Sequence, residues 1–195
     1  TTPFQIGDLL SDDSQSFLPL NVLTGEKPLF VFSSAAGKNY LHNDGGIQKY
    51  GPYSKDYFTP SKPRICVVYQ DRKKGQVEQV LSKFLDGMKP VGWGKNGKTF
   101  EFTGLKTKFY LQDCILKFFG AADDTAAAYY NAITQALQAG SGNEKWDLAL
   151  IQIDSSFRSL SGDNNPYLVS KARFVGQNIP VQEFTLDAFG QVDEK

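Results

Sequence analysis

The chain has 195 residues, with 21 Lys plus Arg balanced by 21 Asp plus Glu; this argues against a protein that coats nucleic acid by bulk electrostatics and confines any such contact to a local site. Hydrophobic residues make up 41% and aromatics 13%, enough for one substantial core, with no apolar run of membrane-spanning length and no signal-peptide pattern. One His and two Cys provide neither zinc-finger nor His-rich spacing, so no metal site is expected.

Taken in order, the chain opens on Thr1-Thr2-Pro3 without an initiator Met, which reads as a piece cut from something longer, although Met removal would look similar. Residues 1–28 are polar and broken by Pro19, Gly25 and Pro28, an entry segment anchored by Leu9-Leu10 and Phe17-Leu18. Pro28 to Phe32 is a short apolar strand. Ser33 to Gly46 is a Ser-, Gly- and Asn-rich loop holding the lone His42, for which no ligand role is expected. Gly45 to Tyr53, ending Tyr-Gly-Pro-Tyr, reads as a tight turn. Residues 1–60 are therefore a connecting segment and 61–195 the domain proper.

From Pro63 the pattern becomes regular. Ile65 to Tyr69 is a buried strand, and Gln76 to Met88 places Val77, Val80, Leu81, Phe84 and Leu85 at helical spacing. Arg72-Lys73-Lys74-Gly75 between them reads as a basic loop, solvated or touching a nucleic-acid backbone. Gly92 to Gly97 is a turn-rich break, Lys98 to Tyr110 is strand-like, and Phe118-Phe119-Gly120 fits no clear element. Asp123-Asp124-Thr125 caps a helix whose Ala126, Tyr129, Tyr130, Ile133 and Leu137 line one face until Gly140. Cys66 and Cys114 read as buried free thiols of a reducing compartment rather than a disulfide, and a cytoplasmic protein is expected.

The stretch Trp146 to Gln182 carries the chemistry. Leu148 to Ile153 is an apolar run of strand length, suited to burial on both faces of a parallel sheet. A polar loop from Ser155 follows, then Asn165 as N-cap and Pro166 at the first helical position. The helix should end near Gln177, with Asn178 in the left-handed conformation and Pro180 unable to continue it. Leu168, Ala172 and Val175 are expected to pack on the sheet, leaving Tyr167 and Lys171, also i, i+4, on a second stripe beside the helix N-terminus. A Tyr hydroxyl, a Lys ammonium and unpaired N–H groups suit a terminal phosphate, Gln182 adds an amide donor, and the Tyr167 ring can stack on a base. With Val181 to Thr185 as a last short strand, strands and helices alternate from residue 64: an α/β fold, a Rossmann-like parallel sheet flanked by helices, with an N-terminal extension. Ligands of such sheets bind beyond the carboxyl ends of the strands, where the loop 155–165 lies.

Tyr-x-x-x-Lys on a helix followed by Gly176-Gln177-Asn178-Ile179-Pro180-Val181-Gln182 resembles the 5′-end pocket of the MID domain of Argonaute proteins, especially prokaryotic ones. The glycine-rich stretch ending Tyr50-Gly51-Pro52-Tyr53, shortly before Pro63-Arg64-Ile65-Cys66-Val67-Val68, is similar to the segment leading into that domain. The resemblance implies a guide RNA or DNA bound by its 5′ phosphate. Tyr167 would stack on the first base and touch the phosphate, Lys171 would pair with it, Gln182 would hydrogen-bond it, and Gln177 is a lesser candidate. Ser156, Arg158 and Asp163 in the preceding loop are candidates for base contacts, and in some family members a divalent cation such as Mg2+ bridges the phosphate. The family pattern continues with a further lysine downstream, and this chain ends at Lys195 before that position. Cleavage in the family belongs to a separate PIWI domain, the expected partner within the longer protein, so this chain is read as an anchor and not an enzyme. Asp147 and Asp154, seven apart on one strand, would lie on opposite faces and form no acid/base pair. Two other readings stay open: an open α/β sensor that binds a small molecule or nucleotide phosphate at a helix N-terminus, and a scaffold for protein contacts.

Overall fold

Apolar runs of six or seven residues are long enough to cross a sheet once, and those after residue 60 form, in a computed structural model, a parallel sheet with helices on both faces. The structure describes residues 29–32, 43–53, 60–93 and 98–187. The expectations for residues 1–28 and for His42 fall outside them.

The sheet strands are β1 (Arg64–Gln70), β4 (Ile115–Ala121), β5 (Leu148–Ile153) and β6 (Val181–Thr185), in the order β4-β1-β5-β6, and every pairing is parallel. Residues alternate between faces along each strand. One face presents Ile65, Val67, Tyr69 and Leu150 to α2 (Lys74–Asp86) through Val77 and Leu81. The other presents Cys66, Val68, Phe119, Ala149 and Ile151 to α4 (Ala126–Ala139) and α5 (Pro166–Val175) through Tyr129, Ile133 and Phe174. Trp146 anchors the entry to β5, its indole N–H donating to the Ala136 carbonyl at 2.7 Å and its ring edge-on to Phe119. Cys66 and Cys114 are free thiols, and burial pushes Cys66 up to about 12. Because β1 connects to β4 on one side and the chain then crosses to β5 on the other, the topological switch point lies between the carboxyl ends of β1 and β5.

Several local expectations are corrected. The second strand of the parallel sheet is not in 98–110 but is β4, which contains the unassigned Phe118-Phe119-Gly120. It was obscured because it is an edge strand: Ile115 and Lys117 are exposed, so the run is not continuously apolar. Residues 98–110 instead divide into β3 (Lys98–Phe102) and the short helix α3 (Leu105–Lys108). β3 pairs antiparallel with β2 (Met88–Trp93), which takes in the start of the expected break at Gly92. This ribbon closes on two glycines with φ of 96° and 86°, Gly87 and Gly104. A Cβ on Gly104 would lie 2.5 Å from the Gly87 nitrogen, so only backbone fits between them. The expected loop and turn at 43–50 is a helix, α1 (Asn43–Tyr50), and of the stretch read as a strand before it, Phe30 makes a single β-bridge. On α4, Tyr130 is exposed and covers Arg173, whose guanidinium lies 3.7 Å from its ring centroid, rather than facing the core.

The largest correction concerns α5. Leu168 and Val175 are 46% and 59% exposed and Ala172 is exposed as well; the buried stripe is Pro166, Ser170 and Phe174. Phe174, the bulkiest apolar side chain of the helix, sets the rotation. Ser170 can be buried beside it because its hydroxyl lies 3.0 Å from the Tyr167 carbonyl and 3.3 Å from Glu183 Oε1, which removes the desolvation cost of an unpaired hydroxyl.

Candidate functional site

Helix α5 starts as its sequence dictates. Asn165 accepts a hydrogen bond from the Tyr167 N–H at 2.9 Å, its own amide donates to the Leu160 carbonyl, and Pro166 occupies the first position. The same cap changes what the terminus can offer. Pro166 has no N–H, that of Tyr167 is taken by Asn165, and that of Val169 bonds the Asn165 carbonyl. Three of the four first-turn positions are thus accounted for, and an anion at this end depends on side chains rather than on a set of free backbone donors.

Those side chains are Tyr167 and Lys171. The Lys171 ammonium lies 5.1 Å from the Tyr167 ring centroid and 3.4 Å from Glu183 Oε2. The Tyr167 hydroxyl first, and then the Glu183 carboxylate, hold Lys171 above the ordinary lysine value. Burial raises the Glu183 carboxyl above its ordinary value, outweighing the charge and hydrogen bond of Lys171 and the hydrogen bond from Ser170. Gln182 is exposed, and its amide donates to the Glu183 carbonyl at 2.9 Å. Strand alternation puts Gln182 on the sheet face of its register partner Leu150, opposite the face from which Glu183 meets Lys171. Gln177 is exposed in the turn after α5, where Asn178 takes the left-handed conformation at φ 56° as its sequence position suggests.

Beside Tyr167, a cleft of about 430 Å³ opens at the carboxyl end of β5, lined by Asp154, Ser155, Arg158, Asn165, Tyr167 and Thr185 among others. Of the loop candidates, Arg158 shares this cleft with Tyr167. Ser156 lines a separate depression with Asp124 and Thr125, and the exposed Asp163 lines neither. The loop is two 3-10 turns, Ser155–Ser159 and Gly162–Asn164, pinned by the buried Phe157, which meets Tyr129 edge-on at 5.7 Å. Asp154 sits at the switch point. Gln70 Nε2 donates to it at 2.8 Å and Gln152 Nε2 at 3.1 Å, Lys73 is ion-paired with it, and Arg72 lies 3.7 Å away. Burial works to raise this carboxyl, but the hydrogen bonds from Lys73 and Gln70 with the charges of Lys73 and Arg72 hold it below the ordinary value. The basic stretch 72–74 is accordingly a 3-10 turn running into α2, with two of its cations turned to Asp154. Asp147, at the opposite end of β5, accepts from the Arg64 N–H; the two aspartates are separated by strand length as well as by face.

Sequence reading missed Glu183. The signal lay in the period of β6, where Val181, Glu183 and Thr185 share the face beneath α5 and the acid stands directly under Lys171.

No helix among the described residues is long and apolar enough to cross a membrane. No family model matches the chain. Protein argonaute of Cereibacter sphaeroides is 29% identical over 181 residues, which cover 92% of this chain and 22% of that protein. The chain is therefore similar to one segment of an argonaute protein, about a fifth of that protein's length.

Proposed function

We propose that this chain holds the phosphorylated 5′ end of a guide nucleic acid, RNA or DNA, as the MID-type part of a longer argonaute protein acting in guide-directed silencing or host defence. Residues 61–195 form the MID-type unit and 1–60 the segment that leads into it. One observation carries the reading: Tyr167 and Lys171 stand together on α5 beside a cleft at the carboxyl end of the parallel sheet. The Lys171 ammonium supplies the charge for a terminal phosphate, and the Tyr167 ring supplies a flat face for the first base. Arg158, on the wall of the same cleft, is the loop residue best placed to meet that base. Gln182, on the edge strand, reaches the phosphate only by turning around the sheet edge.

In this reading the chain anchors, and any cleavage belongs to the PIWI domain, its partner within the longer protein. Among the described residues no three His, Cys, Asp or Glu side chains converge on a common point. A Mg2+ bridging the phosphate would draw its oxygen ligands mainly from the phosphate and water.

The test is a titration of the chain with one short oligonucleotide in 5′-phosphate and 5′-hydroxyl forms at fixed moderate salt, so that nonspecific attraction is constant. A clear preference for the phosphate is expected. Equal binding of both forms would reject end anchoring, and equal affinity for a free mononucleotide would favour a small-molecule sensor.

A further inference from the structure

The cation offered to the phosphate is already engaged by an acid of the same chain. Glu183 is 3% exposed at its side chain, and its two carboxylate oxygens are divided between Lys171 at 3.4 Å and the Ser170 hydroxyl at 3.3 Å. Ser170 is itself fully buried beneath α5. The acid therefore cannot swing into solvent to release Lys171 without breaking the packing of the helix on β6. From the elements packed against it, α5 contributes Lys171, Ser170 and, behind Lys171, Tyr167; β5 contributes the apolar register partner Ile151. Asp154, beyond the end of β5, is engaged by Lys73, Gln70 and Arg72. Among the described residues, Lys171 is the one cation paired with Glu183.

We infer that Glu183 is the positioning residue of this anion site: it holds Lys171 in place in the free protein and is neutralised by a proton from solvent when a phosphate takes over the ammonium. The inference rests on the end-anchoring reading above. When a phosphate dianion approaches Lys171, two anions share one cation. The exposed phosphate can keep its charge through water, whereas the buried carboxylate loses the countercharge of Lys171 and gains a like charge nearby. The carboxylate is therefore the partner that takes up the proton. Binding is linked to uptake of one proton, and affinity for the dianion falls as pH rises, by about tenfold for each unit by which the phosphate lifts the Glu183 carboxyl.

The experiment titrates the chain and its Glu183→Gln variant with 5′-phosphorylated and 5′-hydroxyl single-stranded oligonucleotides between about pH 6.5 and pH 8.5, where the phosphate is mostly dianionic. The unaltered chain should lose affinity for the phosphorylated form as pH rises. Glu183→Gln should bind it more tightly at the upper end, with a flatter profile. Parallel profiles with the phosphate preference retained would overturn the role of Glu183 and leave end anchoring standing; loss of any phosphate preference in the unaltered chain would overturn both. A measurement that needs no variant is the NMR titration of the Glu183 carboxyl carbon with and without the phosphorylated oligonucleotide. An upward move of its midpoint supports the inference, and an unmoved midpoint overturns it.

Discussion

Lys171 and Glu183 form an ion pair across the gap between α5 and β6, ammonium to carboxylate at 3.4 Å, with the lysine partly exposed and the acid buried. The asymmetry determines what each side of the pair can do. The exposed partner can change ligands without leaving its place, while the buried one can only change its charge. A site of this kind separates the group that binds from the group that tunes.

Lys171→Ala is predicted to weaken binding of a 5′-phosphorylated oligonucleotide about ten- to a hundredfold, the range for losing a hydrogen bond to a charged group. Binding of the 5′-hydroxyl form should change little. Paired titrations of both forms check this, and equal losses would make Lys171 a general backbone contact instead of a phosphate ligand.

Asn165→Ala should destabilise the fold by about 1 kcal/mol, and up to about 2 kcal/mol, because it removes the cap of α5. The same change removes the Asn165 amide from the Leu160 carbonyl, so the loop that carries Arg158 loses one tether. Denaturant unfolding measures the first effect. The second should appear as faster amide hydrogen exchange across 158–164 than in the unaltered chain.

Residues with a single local cause were legible in the sequence. Asn165, Pro166 and Asn178 each act through their own backbone geometry, and the three occupy the places read for them. The central strands β1 and β5, buried on both faces, were equally plain. Where two partners decide, the sequence was silent. The burial of Ser170 depends on a hydroxyl partner thirteen residues away, so no helical period could place it in the core, and the face of α5 was read wrongly as a result. The strand β4 was hidden because an edge position relaxes the apolar pattern. The turning of Arg72 and Lys73 toward Asp154 depends on the pairing of β1 with β5 and appears only in three dimensions.

The half-buried Asp154 and the buried Glu183 should move stability with pH in opposite directions. Asp154 lies below the ordinary aspartate value in the folded chain, so its contribution is present above the unfolded value of about 3.9 and is lost as pH falls through the folded value. Glu183 lies above its ordinary value, so its contribution is present below the unfolded value of about 4.3 and is lost as pH rises through the folded value. Unfolding free energies of the unaltered chain, Asp154→Asn and Glu183→Gln across this range check both signs. The deficit of Asp154→Asn should shrink on acidification, and Glu183→Gln should gain on the unaltered chain as pH rises.

The rotation of α5 makes the sharpest test of the packing. Phe174 is fully buried among the side chains that cover β1 and β5, so Phe174→Ala should cost about 3–5 kcal/mol through lost burial and the cavity left behind. Leu168→Ala and Val175→Ala, on the face first read as core, should stay within about 0.5 kcal/mol, as substitutions at exposed positions do. If Phe174→Ala does not fold, Phe174→Leu serves as a smaller step of about 1 kcal/mol in the same direction. Denaturant midpoints at constant slope compare the variants. A large loss at Leu168 together with a small one at Phe174 would mean that the helix presents the opposite face to the sheet. Tyr167 and Lys171 would then turn with it, and the ammonium would no longer stand over Glu183.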